Sequence, residues 1–505
     1  MGLVVSADAT VLVVGAGIMG SGIAHAAAQA GHPVLLFDSR DGAATEALRR
    51  LTSAMQSQVA KGKLTAEAAA GILARVQPIQ MLEAARDVRL VVEAIVENLE
   101  AKQGLFHKLE HLVDRACLLA SNTSSISITA LAQGLAHPGR VVGMHFFNPV
   151  PSMKLVEVVS GLHTEPEVAE AVFELSFRWG KVPVHARSTP GFIVNRIARP
   201  YYAETLALLA ERAAEPAVLD ACLRGAGFRM GPCELMDLIG HDTNFAVTQS
   251  VYAANFFDKR YVPSLVQREL VDAGWLGRKS GRGFFDHREG AARPALPAFE
   301  PLADLPQATQ VVVHGEGPVA ERLAAALATA GAPLHRQKAA SWIGLEVLQD
   351  SRSLHLRLTD GRSASQLGGD VAVFDLIAAP LAEPGAALAW APASRARDSW
   401  VEEAPRWLQA AGFLPMRVAD APGLVVARTI AMLINEAADA VHQGVCTPDG
   451  ADAAMKLGVN YPAGPFEWLG RWDIRAVIGL LDTLDAHYRG ERYRVSPGLR
   501  RLAWR

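Results

Sequence analysis

An α/β domain built on a parallel sheet, joined to an all-α domain and followed by a degenerate second copy of both, is the fold class this sequence predicts. Three observations carry the prediction. Short apolar runs alternate with helical stretches over residues 1–187, from about Ser188 long helical patterns take over, and after about residue 308 both textures return in altered form. A chain of 505 residues is too long for one hydrophobic core, and a duplicated unit accounts for the length.

The elements follow in order. Thr10 to Val14 is an apolar strand, a glycine-rich turn follows it, and SGIAHAAAQAG has helical character. Val34 to Phe37 is the next strand and ends at Asp38. Residues 42–76 form a helical excursion, longer than an ordinary crossover. Leu90 to Val96, Leu118 to Ser121, Val141 to Phe146 and Leu155 to Val159 are buried-strand candidates, and their alternation with helices implies parallel pairing with right-handed crossovers. Pro190 and Gly191 turn the chain into the helical part, which ends near GRKSGRGFF. The expected boundaries are 1–187 for the α/β domain, 188–287 for the helical domain, 288–307 for an Ala/Pro-rich linker, 308–404 for the degenerate α/β copy and 405–505 for the second helical domain.

Composition narrows the function. Half of the residues are hydrophobic, a fifth are charged and the net charge is −3, which gives no basic surface for nucleic acid. Cys117, Cys222, Cys233 and Cys446 are scattered without CxxC spacing, so neither a metal site nor a disulfide frame is expected. The first residues read as a strand and not as a signal peptide, and no apolar run is long enough to span a membrane, so a cytoplasmic protein is expected.

Gly15, Gly17 and Gly20, with Ile18 and Met19 between them, form G-x-G-x-x-G between a strand and a helix. The first glycine permits the tight turn, the second lets the backbone approach a pyrophosphate, and the third lets strand and helix pack closely. Glycines in a turn often serve the turn alone, but here Asp38 closes the next strand at the expected spacing. The reading is a Rossmann-type dinucleotide-binding domain. Asp38 would bind the adenosine ribose hydroxyls and repel a 2′-phosphate, so NAD is favoured over NADP, with Arg40 read as a solvated cation. In the second copy Gly315 and Gly317 remain, but Pro318 and Ala320 follow and no acid takes the place of Asp38, so that copy should bind no cofactor.

Histidine suits general-base chemistry near neutral pH, and a neighbouring carboxylate can orient it. His145 ends a strand on the carboxyl side of the sheet, and Glu157 lies in the next strand, where an antiparallel or neighbouring strand could present it to His145. Taken by itself the pair is only suggestive, since one of fifteen histidines can equally be structural.

SNTSSISIT, HFFNPVPSMKLVEVV and TPGFIVNRI, in that order after GAGIMGSGIA, resemble the L-3-hydroxyacyl-CoA dehydrogenases, over about residues 8–286 and more loosely beyond. The resemblance implies NAD-dependent oxidation of an (S)-3-hydroxyacyl-CoA, with His145 as base, Glu157 as its orienting carboxylate, and Ser124 and Asn195 bonding the substrate oxygen. It also implies NAD contacts from Glu97, Lys102, Asn148 and Lys279. Lys61 and Lys63 in the excursion are candidates for the CoA phosphates. In its two-copy length the chain resembles the 3-hydroxybutyryl-CoA and 3-hydroxyadipyl-CoA dehydrogenases of bacterial acid and phenylacetate catabolism, which implies one of these substrates. A dicarboxylic chain would call for an arginine such as Arg196, Arg199 or Arg229, although Arg196 recurs as Arg428 in the second copy, which argues for a structural role there.

The repeat acts as an internal control. PGFIVNR in the first copy becomes PGLVVAR in the second, so Ala427 stands where Asn195 does and one active site per chain is expected. The second copy would then replace, within one chain, the partner that single-copy members recruit, giving a monomer with an internal pseudo-dimer or else a homo-oligomer. The alternatives are a gulonate-like sugar-acid dehydrogenase or a non-catalytic, crystallin-like NAD-binding protein.

Overall fold

The computed structural model describes residues 5–292, 294–349, 351–378 and 385–504. The chain divides into two compact units, one of Met1–Arg196 with Ala440–Val459, the other of Ile197–Asp439 with Asn460–Arg505.

The first unit is built on eight strands: β1 (Val11–Val14), β2 (Val34–Phe37), β3 (Val76–Ile79), β4 (Leu90–Glu93), β5 (Leu118–Ser121), β6 (Val141–Phe146), β7 (Leu155–Ser160) and β8 (Val182–Arg187). Their order is β3-β2-β1-β4-β5-β6-β7-β8. The first six pair in parallel in the doubly wound arrangement whose strand order reverses between β1 and β4, where such sheets bind ligands. All four residues of β1, β4 and β5 are buried, as expected of strands covered on both faces.

Three departures from the sequence reading have simple causes. The sheet is not wholly parallel, since β7 runs antiparallel to β6, the arrangement left open for the strand of Glu157. Residues 147–154, which join them, are too few for the dozen or more that a parallel crossover needs. The excursion is two helices, Ala43–Ala60 and Ala66–Ala74, that end just before the unforeseen strand β3. Pro78 hid that strand, and it is tolerated because β3 is an edge. Finally, a piece of the second copy belongs to this unit: the Arg187 amide donates to the Val445 carbonyl at 2.9 Å, and the helix Pro448–Gly458 packs on β7 and β8.

The second unit contains a seven-stranded sheet among its described residues, in the order β10-β9-β11-β12-β13-β14-β15. The strands are β9 (Gln310–His314), β10 (Leu334–Gln337), β11 (Gly344–Gln349), β12 (Arg352–Leu358), β13 (Val371–Phe374), β14 (Ala386–Pro392) and β15 (Phe413–Arg417). The β9–helix–β10 unit keeps the parallel Rossmann pairing, but the neighbour on the other side of β9 is now the antiparallel β11. The sheet runs to Arg417, past the boundary expected at residue 404. The short strand β15, interrupted by Pro415, gave no clear alternation to signal it.

Helices from both copies, among them Arg199–Ala210, His241–Ala254 and Ile474–Tyr488, make up the rest of this unit. They are tied by a reciprocal exchange. The buried Glu204 of the first copy binds Arg492 at 2.9 Å and accepts from the Tyr493 hydroxyl at 2.9 Å. Its counterpart in the second copy, Glu436, binds Arg260 at 3.1 Å and accepts from the Tyr261 hydroxyl at 2.5 Å. The same Arg-Tyr pair thus serves the opposite glutamate in each direction, which is the self-complementary pattern of an isologous dimer interface, here within one chain. Arg428 also binds Glu204, at 3.0 Å, and both side chains are wholly buried. Glu204→Ala is therefore expected to lower unfolding stability by about 3–5 kcal/mol, because two guanidiniums lose their buried partner. An unchanged denaturation midpoint would show that the network contributes little.

Candidate active site

The glycine-rich turn joins β1 to the helix Ile18–Gln29. Gly15 has a φ of +108°, and a Cβ there would lie 2.3 Å from the Ala94 carbonyl oxygen. A Cβ on Gly20 would lie 1.8 Å from the Gly15 carbonyl oxygen. The protein's own packing thus requires both. Gly17 differs: its φ is −70°, open to any residue, and a Cβ there would meet nothing within 4 Å. The space above Gly17, at a helix N-terminus whose amides point outward, fits a bound pyrophosphate.

Asp38 follows β2 directly. One of its oxygens accepts the Ala16 amide at 2.8 Å and the other the Arg40 amide at 2.9 Å, so it braces the turn it would serve. The Arg40 side chain is 76% exposed, but its Nε lies 3.5 Å from Asp38 Oδ1, so it is an exposed cation paired with that carboxylate. These residues fit a dinucleotide.

Two glutamates at the carboxyl end of β4 were only half legible. Glu93 is wholly buried and bonds Lys102 Nζ at 2.5 Å, the Ser121 hydroxyl at 2.6 Å and the Ile95 amide at 2.7 Å. Glu97 Oε1 accepts the Thr123 hydroxyl at 2.6 Å, the Ser125 hydroxyl at 2.9 Å and the Ser124 amide at 3.1 Å. Burial acts to raise the Glu97 carboxyl, but the Thr123 hydroxyl, the Lys102 ammonium and the Ser125 hydroxyl together hold it below its ordinary value. Lys102, at 2.5 Å from Glu93 and 3.3 Å from Glu97, is a buried tether between them and not a surface lysine. Glu97 and Lys102 thus fix the loop that carries Ser124. Sequence reasoning missed Glu93 and Ser121, whose signal was a polar side chain closing an otherwise apolar strand. It also missed Asn122, which accepts the Phe146 amide at 2.9 Å and ties β5 to β6.

His145 and Glu157 are direct cross-strand partners in the antiparallel β6–β7 pair. His145 Nδ1 lies 2.5 Å from Glu157 Oε2, with the glutamate wholly buried. The other glutamate oxygen accepts the amides of Ile193 and Val194, each at 3.0 Å. One carboxylate therefore orients the imidazole and anchors the backbone immediately before Asn195. Asn195 falls within the same compact unit as the dyad, although it opens the helical sequence. Asn148 is exposed just beyond β6, and Lys61 and Lys63 are exposed in the turn between the two helices of the excursion.

Other candidates have partners elsewhere. Lys279 belongs to the second unit and pairs with Asp242 at 2.5 Å. Of the three arginines considered for a dicarboxylic chain, Arg196 donates to Gln443 at 2.8 Å, Arg199 donates to Thr248 at 3.1 Å, and Arg229 is exposed. Cys233 is fully buried, and burial pushes its thiol well up, so it makes a poor nucleophile. Among the described residues no cluster of acidic, histidine or cysteine side chains could hold a metal ion, and no helix is long and apolar enough to cross a membrane.

The second copy keeps parts of the scaffold with different side chains at the corresponding places. Gln337 pairs with His314 as Phe37 pairs with Val14, which puts Lys338 in the place of Asp38. Arg336 reaches across the turn to the carbonyls of Ala320 and Gly315, at 2.9 and 3.3 Å. Asp375 accepts the amides of Val425, Val426 and Ala427 at 2.7–2.9 Å, just as Glu157 anchors its own segment, but among the described residues it has no histidine partner.

The chain matches the family described as 3-hydroxyacyl-CoA dehydrogenase, NAD binding domain, over residues 10–189. It matches the 3-hydroxyacyl-CoA dehydrogenase C-terminal domain over both 191–287 and 423–504, and a 3-hydroxybutyryl-CoA dehydrogenase reduced Rossmann-fold domain over 356–422. It is 44% identical to the 3-hydroxyadipyl-CoA dehydrogenase of Escherichia coli K12, over 98% of this chain and 97% of that one. A crystal structure of 3-hydroxybutyryl-CoA dehydrogenase from E. coli K12 superposes with a TM-score of 0.87 at 43% identity, covering 98% of each chain. A probable 3-hydroxybutyryl-CoA dehydrogenase of Bacillus subtilis is 41% identical, over 55% of this chain and 97% of its own.

Proposed function

Because this chain belongs to the 3-hydroxyacyl-CoA dehydrogenase family, we propose that it oxidises an (S)-3-hydroxyacyl-CoA to the 3-ketoacyl-CoA with NAD, at a site built around His145 and Glu157. NAD, when bound at the glycine-rich turn, supplies the hydride acceptor. The observation that carries the reading is the buried dyad. With Nδ1–H donating to Glu157, His145 keeps the Nε2 lone pair to take the proton of the 3-hydroxyl as C3 loses its hydride. Glu157 stabilises the resulting imidazolium without taking up the proton itself. Ser124 and Asn195 act as donors that hold the substrate oxygen in line, and the Glu97 and Glu157 carboxylates keep the segments that carry them in place. Lys61 and Lys63, exposed in the excursion, are assigned to the CoA phosphates on the grounds of charge.

The acyl group is a short or a dicarboxylic one, in keeping with the relatives named for 3-hydroxybutyryl-CoA and 3-hydroxyadipyl-CoA. One chain supplies both helical copies, a reading supported by the reciprocal Glu204 and Glu436 exchange. The test is NADH oxidation with acetoacetyl-CoA and with 3-oxoadipyl-CoA. Turnover of at least one is expected, with NADPH serving at least about tenfold worse because Asp38 repels the 2′-phosphate. Turnover of free hydroxy acids such as gulonate in place of any thioester would overturn the proposal.

A further inference from the structure

We infer that residues Gln443–Gly458, which belong to the second copy, position the active site of the first. The inference rests on the dyad reading above and concerns what holds the dyad and Asn195 in place. All of these residues lie in the same compact unit.

Two contacts carry it. Arg196, next to Asn195 and 5% exposed, donates from Nη1 to Gln443 Oε1 at 2.8 Å. The repeat makes the same contact in the other direction, where Arg428 lies 3.7 Å from Glu211, so the pairing is a built feature of the duplicated fold. The second contact is at Gly458, the last residue of the helix Pro448–Gly458. A Cβ there would lie 2.7 Å from Leu155 Cδ2, 3.0 Å from Val194 Cγ2 and 3.6 Å from Phe147 Cε1. Two of these three touch the dyad and the third shares its strand face. Leu155 shares a face of β7 with Glu157, two residues on. The Val194 amide donates to Glu157, and the Phe147 ring lies 4.5 Å from the His145 ring. Gly458 does not occupy the left-handed region, so its backbone does not call for glycine; close approach to the dyad's supports does. Burial, with the Glu157 charge adding to it, pushes the thiol of the intervening Cys446 up to about 12, in line with this proximity.

The duplicated half is therefore more than a cover for apolar surface. It supplies the back wall against which Glu157 and the Asn195 segment are held, and misplacing that wall should cost turnover before it costs cofactor binding.

The experiment uses the full-length enzyme, with kcat and KM for acetoacetyl-CoA, KM for NADH and the thermal midpoint measured for Gly458→Val, Gly458→Ala, Gln443→Ala and Gln443→Glu. Gly458→Val is expected to lower kcat at least about tenfold, since small displacements of reacting groups are costly. Gln443→Ala, at an exposed position that should fold, is expected to lower kcat about threefold, the effect of one hydrogen bond. Gln443→Glu should restore it, because a carboxylate accepts from Arg196 as well. In each case KM for NADH stays within about twofold of wild type. Folded Gly458→Ala and Gln443→Ala enzymes with wild-type kcat would overturn the inference. So would losses that follow the thermal midpoint in all four variants with no rescue by glutamate. His145→Ala separates the two levels: if it is inactive while the wall variants are fully active, only this inference fails, and if it is active, the dyad reading fails first.

Discussion

His145→Ala is expected to reduce kcat for acetoacetyl-CoA by about 10²–10⁴-fold, the usual contribution of a positioned general acid–base group. NADH binding should be unchanged, because no hydrogen bond joins the imidazole to the glycine-rich turn. Its single hydrogen-bond partner given by the structure is Glu157, and its ring neighbours are Phe147 and Phe192. Glu157→Gln sharpens the test. The native carboxylate accepts on both oxygens, from His145 on one and from two backbone amides on the other. A glutamine has one acceptor oxygen, so either its NH₂ faces the imidazole N–H or two buried amides go unsatisfied. The variant should therefore lose turnover and about 1–3 kcal/mol of stability together. Stopped-flow NADH absorbance and denaturant unfolding read the two separately. Wild-type turnover by His145→Ala would remove the dyad from the mechanism.

That dyad was partly legible because its geometry is local. A strand carrying His145 near its end, a short proline-marked connection and a strand containing Glu157 allow an antiparallel return, and that return sets the two side by side. The cofactor turn was legible for a similar reason, since strand, glycines, helix and Asp38 follow one another closely. Glu93 was not legible. A lone carboxylate in a buried strand makes sense only with its cation, and Lys102 reaches it from the helix Leu99–Leu112. The edge strands β3 and β8 were missed because each carries a proline that weakens the strand pattern and is tolerated only at or near a free edge. The pairing of Arg196 with Gln443 lay furthest from reach. Nothing near either residue signals the contact, and only alignment of the two copies, with Arg428 and Glu211 as the mirrored pair, would have suggested it. The repeat therefore marked Arg196, which recurs as Arg428, as structural, without showing which residue it meets.

Gly17→Thr separates what the fold requires of the glycine-rich turn from what the ligand requires. Gly17 is the residue preceding the helix Ile18–Gln29, and threonine is about as good as glycine in that capping position. Its backbone is in a region open to any residue, and no protein atom lies within 4 Å of an added Cβ. The variant should accordingly melt within about 0.5 kcal/mol of wild type, as a substitution free of new contacts does. If a pyrophosphate rests on the helix amides above Gly17, the threonine side chain occupies its place, and NADH affinity should fall by about 100-fold, or ~2.7 kcal/mol. Gly20→Ala provides the converse. Its Cβ would overlap the Gly15 carbonyl oxygen at 1.8 Å, so strand and helix must separate and stability should fall along with binding. NADH fluorescence titration and thermal unfolding of both variants distinguish the cases. Loss of affinity without loss of stability at Gly17, against loss of both at Gly20, places the cofactor phosphates at this turn. Undiminished NADH affinity in Gly17→Thr would mean that the open space above the turn has another purpose and that the dinucleotide binds elsewhere.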